Sequence, residues 1–357
     1  MLAPLRESAC IAMNARKIEA VDLFCGAGGL TLGLERAGVD VLRGYDLDPS
    51  CEYPYNANTG AKFFKADVSL LDPVEIVGLF SKGAVRLVAG CAPCQTFSTY
   101  SRGSKTAAPT DSRWELITHF ARIVKAVQPE LVTMENVPRV AGFPVFDTFV
   151  RELREQKYHV WHEVVDCSAL GAPQARKRLV LLASKFANPS APAPVQVAQT
   201  VRDAIGYLPN IEAGKGFPDD PLHYSSALAP LTLKRLRATP PGGDWRDWPK
   251  NLQLDCHKRP SGRTYRGVYG RMKWDALAPT LTTLCGGVGN GRFVHPEQDR
   301  GISLREAAIL QTFPETFSFI EPGKRLRPRT VARLVGNAVP PLLGQAIGKA
   351  LLMTLSS

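Results

Sequence analysis

Residues 22–38 read "DLFCGAGGLTLGLERAG", and the architecture can be worked out from this stretch. A short apolar run with strand character enters a glycine-rich turn, and the turn opens a pattern with helical period. Strand, glycine turn and helix in direct succession form a nucleotide-type cofactor site. The glycines let backbone approach a ligand closely, and the helix start carries unpaired amides. The pattern Gly26-x-Gly28-x-x reaches Thr31, where a dinucleotide fingerprint would want a third glycine, so a pyrophosphate is not clearly called for. Further on, "YDLD" (45–48) puts Asp46 and Asp48 at the end of the next apolar run. A carboxylate at that place can hold both hydroxyls of a ribose.

Further along, the same rhythm repeats. "VRLVAGCAP" (85–93) and "LVTMENV" (131–137) read as buried strands, and "WELITHFARIVKAVQ" (114–128) carries helix-period apolar spacing. Strand–helix alternation of this kind predicts a mostly parallel sheet with helices on both faces, its ligand site at the carboxyl ends of the strands. After "RLVLLAS" (178–184) the composition changes: "KFANPSAPAPVQVAQT" (185–200) is a Pro/Ala linker, and irregular, basic, Gly/Pro-rich sequence follows to about residue 300. Helical patterning returns in "LREAAILQTF" (304–313) and "TVARLVGNAVPPLLGQAIGKALLM" (330–353). The reading divides the chain into a loose leader (1–17), a strand–helix domain (18–185), a smaller irregular domain (186–325) and a C-terminal helix (326–357).

With 357 residues, 45% of them hydrophobic, the chain can build a substantial core. No apolar run reaches membrane-spanning length. Eight cysteines without regular spacing do not form a disulfide framework and point to a reducing cytoplasm. The net charge of +11 is concentrated: residues 231–273 hold eleven Lys or Arg against three Asp, a net +8. Trp245, Trp248, Tyr265 and Tyr269 are interleaved with these cations, and Trp274 follows. That combination points to a nucleic-acid surface.

Three further groups carry chemistry. "GCAPCQTFSTYSRG" (90–103) pairs Cys91 with Cys94 at a strand end. A redox dithiol would sit at the head of a helix in a smaller unit, and zinc would need ligands that no second Cys pair or close His pair provides. What is left is a single nucleophilic thiol, Cys94, with Cys91 a small buried neighbour. "MENVPRV" (134–140) sets Glu135 and Asn136 at the catalytic edge, and "PQARKRLVLL" (173–182) offers Arg176 and Arg178 as an anchor for a base or phosphate.

Taken in order, "DLFCGAGG", "YDLD", "ADVSLLDP" (66–73), "APCQTFS", "ENV", "QARKR", "SLREAAILQTFP" (303–314) and "GNAVP" (336–340) resemble the DNA (cytosine-5)-methyltransferase family of bacterial, restriction-modification type. The motifs span both ends of the chain. The basic region from about 186 to 300 falls where that family carries its variable target-recognition segment. Departures are small: Ala92 stands where the family has a first proline, Thr96 where it often has glycine or proline, and Asp46 where it often has glutamate.

The resemblance implies an S-adenosyl-L-methionine-dependent methyltransferase sheet of Rossmann-like α/β type, with a smaller irregular, β-rich recognition domain. It implies site-specific methylation of cytosine C5 in double-stranded DNA, Cys94 adding to C6 of a flipped-out base and Glu135 bonding N3. Arg178 takes the base-contacting position, and Arg176 supports the same pocket. Methyl-donor contacts carry over to Phe24, Cys25, Gly26, Asp46, Leu47, Asp67, Val68, Leu116, Asn337 and Val339. No metal is implied. The loop 96–110 reads as a lid over the flipped base. Expected partners are DNA and a cognate restriction endonuclease acting on the same site, with a monomeric enzyme in the cytoplasm, associated with the nucleoid. A tRNA cytosine-5 methyltransferase built on the same motifs is the alternative; the long basic insert favours DNA.

Overall fold

The computed structural model describes residues 17–93, 115–195, 197–259, 262 and 267–356. Cys94, the 96–110 loop, Tyr265 and all of the leader except Lys17 lie outside the described residues. Strand β1 (Ile18–Leu23) is buried at every position, as befits a central strand covered on both faces. The chain then turns tightly through Phe24, Gly26 and Gly28, with φ of 60°, 54° and 92°. Glycine adopts that left-handed region at no steric cost; Phe24 does not. Helix α1 (Gly29–Arg36) follows, then β2 (Asp40–Asp46), α2 (Glu52–Asn58), β3 (Lys62–Lys65), α3 (Pro73–Val77) and β4 (Val85–Gly90). Next come α4 (Glu115–Val127), β5 (Leu131–Asn136), α5 (Pro144–Glu155), β6 (His159–Asp166), β7 (Gln174–Ala175) and β8 (Lys177–Ser184).

Seven of these strands form one sheet in the order β3-β2-β1-β4-β5-β8-β6. All adjacent pairs are parallel except those of β8, which runs antiparallel to both β5 and β6. From β1 the chain moves outward to β2 and β3, then returns to pair β4 on the other side of β1. The carboxyl ends of β1 and β4 therefore flank a topological switch point, where a doubly wound sheet opens a crevice. Because β8 is reversed, its beginning meets that same edge.

Side chains alternate between two apolar layers along each strand. Ala20, Leu87, Val180 and Leu182 face a core built with α1, α2 and the C-terminal helices, while Val21, Val88, Leu179 and Leu181 face one built with α3, α4 and α5.

The rest of the chain carries α6 (Val201–Ile205), β9 (Gly216–Phe217), β10 (Asp220–Tyr224), α7 (Pro230–Arg237), α8 (Asp255–Lys258), β11 (Ala278–Pro279), α9 (Leu304–Leu310), α10 (Pro328–Asn337) and α11 (Pro341–Met353). Irregular backbone prevails between 186 and 300, as expected, but the described strands there are few and short. Frequent Gly and Pro interrupt ladders, so side chains satisfy the backbone instead. Buried Arg271 donates to the carbonyls of Thr239, Leu236, His295 and Gln298, and pairs with Asp299.

The aromatic residues of this segment need a correction. Trp245 and Trp248 are only 5% and 3% exposed. Trp245 stacks on His257 at 4.3 Å, and Trp248 Nε1 donates to Thr239 Oγ1 at 2.7 Å. With so little Gly/Pro-free sequence available, these rings supply the segment's own core and do not form a nucleic-acid surface.

The C-terminal helical pattern is two helices, broken at Ala338–Val339–Pro340 because consecutive prolines donate no backbone hydrogen. A Cβ on Gly29 would lie 2.1 Å from Val339 O. Only glycine lets this break pack against the start of α1.

Candidate active site

Sheet register assembles the first half of the site. Gly90 pairs with Met134 across β4 and β5, so the next residues, Cys91 and Glu135, stand side by side. Across β5 and β8, Glu135 pairs with Val180, which puts Arg178, two residues away on the same face, diagonal to Glu135. The three side chains meet. Cys91 Sγ donates to Glu135 Oε2 at 2.8 Å, and Arg178 Nε lies 2.9 Å from Oε1. Glu135 is 3% exposed, and its Oε1 has the ion-pair contact but no hydrogen bond. A buried carboxylate oxygen with unused lone pairs can accept from, or share a proton with, a heterocyclic base. Asn136 points to the other face, where Nδ2 donates to Ala92 O at 3.1 Å and ties the "CAP" segment to β5.

The second half lies at the ends of β1, β2 and β3. Asp46 Oδ2 accepts from Gly26 N at 2.9 Å and Oδ1 from Asp48 N at 2.9 Å, so this carboxylate braces the glycine turn and still has lone pairs free. Burial raises its pKa, against the lowering effect of those amide bonds. Beside it Leu47 is 61% exposed, and a Cβ on Gly26 would meet nothing within 4 Å. Phe24 and Leu116 are half-buried against the same apolar layer. Asp67 follows β3, its Oδ1 held by Ser69 N and Oγ at 2.9 and 2.7 Å, with Val68 buried behind it. Cys25 is buried, and burial pushes its thiol well above the ordinary range. Asn337 is exposed at the end of α10, and Val339 returns to Gly29. An acidic carboxylate, an open glycine turn and exposed aliphatic surface suit a nucleoside.

Arg176 takes a different part from the one expected. It is 1% exposed and donates to Leu281 O at 2.9 Å, Gly336 O at 3.2 Å and Ala338 O at 3.1 Å. Burial, reinforced by Arg178, pulls its pKa down to about 9. This guanidinium is occupied by backbone carbonyls and pins Leu281 to the α10–α11 break. Gln174 completes the lock, donating to Leu310 O and Gln311 Oε1, while Gln311 donates to Ala338 O.

Two contacts were missed in the sequence. One is Cys91 on Glu135, which only strand order reveals. The other is Arg333 on Asp48 and Ser50, signalled only by a cation set between the apolar positions Ala332 and Leu334 of α10.

The model of the C-5 cytosine-specific DNA methylase family matches residues 18–353. The chain belongs to this family of DNA cytosine-5 methyltransferases. The methylase is 46% identical over 337 residues to the Type II methylase M.HgiDII of Herpetosiphon aurantiacus, covering 93% of this chain and 94% of the relative. It is 34% identical over 343 residues to the Type II methyltransferase M1.HphI of Haemophilus parahaemolyticus, with coverage of 93% and 86%. Its fold resembles that of a prophage-encoded DNA modification methyltransferase of E. coli, with a TM-score of 0.72 at 24% identity over 96% of this chain and 100% of the other. The Entamoeba histolytica methyltransferase EhMeth shares the fold at a TM-score of 0.69 and 17% identity, over 96% and 100%. The family, the enzyme class and the methyltransferase sheet read from the sequence all agree with these findings.

Proposed function

We propose that this methylase modifies cytosine within one short site of double-stranded DNA, and that Cys94, Glu135 and Arg178 carry the chemistry. The observation that supports this reading most is the buried Glu135 carboxyl between Arg178 and Cys91, one residue position along from the strand end that leads to Cys94. Cytosine C5 is a poor nucleophile. A thiolate of Cys94 adds to C6, and the ring's electrons move toward C5 as N3 takes up the proton shared with Glu135. Arg178 holds Oε1 of that carboxyl and contacts the base. S-Adenosyl-L-methionine supplies an electrophilic methyl group to C5. A base then takes the C5 proton, the thiolate leaves C6 as the C5–C6 double bond re-forms, and N3 returns its proton to Glu135, which restores the ring and frees Cys94.

Asp46 would hold the ribose of the methyl donor, Leu47 and Phe24 would flank its base, and the backbone of Cys25 and Gly26 would face its amino-acid end. Asp67, Val68, Leu116, Asn337 and Val339 complete that site. Arg176 acts as a positioning residue. The target base must leave the duplex, at a cost of roughly a few kcal/mol. Residues 186–325 serve as the recognition domain, with exposed cations such as Lys234, Lys250, Arg259 and Lys273 supplying phosphate contacts. A cognate endonuclease, a monomeric enzyme and a cytoplasmic location near the nucleoid complete the reading.

Bisulfite sequencing of DNA from a methylation-deficient bacterial host expressing the chain, beside Cys94→Ala, tests it. Protected cytosines in one short motif, lost in the variant, are expected. An unmarked genome from folded wild-type protein that binds S-adenosylmethionine would overturn the DNA substrate.

A further inference from the structure

We infer that Cys91 is a positioning residue, its thiol holding the Glu135 carboxyl so that Oε1 is the oxygen offered to the cytosine ring. The inference rests on Glu135 being the base-binding carboxyl. Three observations carry it. Cys91 continues β4 at the sheet edge, its amide donating to Leu23 O at 3.2 Å, so the direction of its side chain is set by rigid backbone. Its Sγ lies 2.8 Å from Oε2. The opposite oxygen, Oε1, has an arginine nearby but accepts no hydrogen bond.

The terminal torsion of a glutamate is broad and roughly two-fold, so a carboxyl without a partner on one oxygen turns readily. A thiol is a weak donor, strong enough to choose between the two orientations yet too weak to withdraw the carboxyl from a base. Arg178 Nε, 2.9 Å from Oε1 but outside hydrogen-bond geometry, attracts that oxygen by charge alone. The half-buried Cys91 thiol supplies the directional bond, on the opposite oxygen, and so fixes which way the carboxyl plane faces.

The test compares Cys91→Val, which fills the same space without a donor, Cys91→Ala and Cys91→Ser, which keeps a donor. Turnover on duplex DNA is measured beside S-adenosylmethionine affinity by calorimetry and the rate of covalent trapping on a duplex carrying 5-fluorocytosine. Valine and alanine should each slow trapping and kcat roughly tenfold, the upper end for losing one ordinary hydrogen bond. Methyl-donor affinity should stay unchanged, and serine should restore most of the rate. Wild-type trapping by Cys91→Val and Cys91→Ala, or serine as slow as valine, would overturn the inference. Glu135→Gln separates the two levels of the argument. Loss of turnover there together with wild-type Cys91→Val defeats only the role of Cys91, whereas full activity of Glu135→Gln defeats the assignment of Glu135 itself.

Discussion

Arg333 of α10 pairs with Asp48 across 285 residues of sequence and donates to Ser50 Oγ at 3.0 Å. Asp48 in turn holds the turn that leads from Asp46, its amide donating to Asp46 Oδ1 at 2.9 Å. Burial pulls the Asp48 carboxyl upward, yet the bonds from Arg333 and Ser50 outweigh it and hold the pKa below the usual carboxylate value. The end of the chain thus steadies the carboxylate proposed to grip the ribose.

Arg333 is 42% exposed at its side chain, and such half-exposed pairs contribute up to about 1 kcal/mol. Arg333→Ala should therefore weaken S-adenosylmethionine binding about three- to fivefold in calorimetry, with kcat at saturating methyl donor little changed. Asp48→Ala should do the same, and the double variant should be no worse than either single one. Strictly additive losses would mean that the two side chains act separately.

Arg176 makes a stronger demand. Leaving a buried carbonyl without its donor typically costs about 1–3 kcal/mol. Arg176→Met should lower the urea midpoint accordingly, because it frees the carbonyls of Leu281, Gly336 and Ala338 at once. Arg176→Lys should not rescue it, since an ammonium lacks the planar fork that spans these groups. Wild-type stability for either variant would show the lock to be dispensable.

Asp22, at the end of β1, is wholly buried; burial lifts its carboxyl from 3.8 to about 7, against the lowering bond from Thr31 at 2.7 Å. The folded state therefore holds a proton that the unfolded chain has already released above pH 4 or so. Stability falls as pH rises between the two values and is lowest above about 7. Asp22→Asn removes this dependence. Its melting temperature relative to wild type should rise from pH 5 to about pH 7 and level off above it; a constant difference would show that Asp22 stays ionised throughout.

Glu135→Gln should reduce kcat by about 10²-fold or more, the scale of a lost general acid–base group. Its S-adenosylmethionine affinity should be unchanged, because the carboxyl lies at the ends of β4, β5 and β8, while the glycine turn and Asp46 follow β1 and β2. An equal loss of methyl-donor binding would place Glu135 in the wrong half of the site.

The alternating sheet, the glycine turn, Asp46 at the end of β2 and Glu135 at the end of β5 were all legible in the sequence. Each is a local matter: strand period, turn chemistry and the rule that ligands gather at carboxyl ends act over a few residues at a time. The C-terminal pattern was legible as helix, but its break at Pro340 and the approach of Val339 to Gly29 were not. The aromatic residues of 245–248 misled for the same reason, since composition cannot say whether a tryptophan among arginines faces water or fills a small core. Long-range pairing alone put Cys91 beside Glu135, turned Arg178 toward it through the reversed strand β8, and drew Arg176 inward to three carbonyls. Those side chains are dozens to hundreds of residues apart, and their meeting depends on strand order and direction, which no spacing along the chain encodes. By itself the sequence determined which chemical groups line the carboxyl edge of the sheet. Only the tertiary structure decided which of them touch, because register and burial assign each charge its partner.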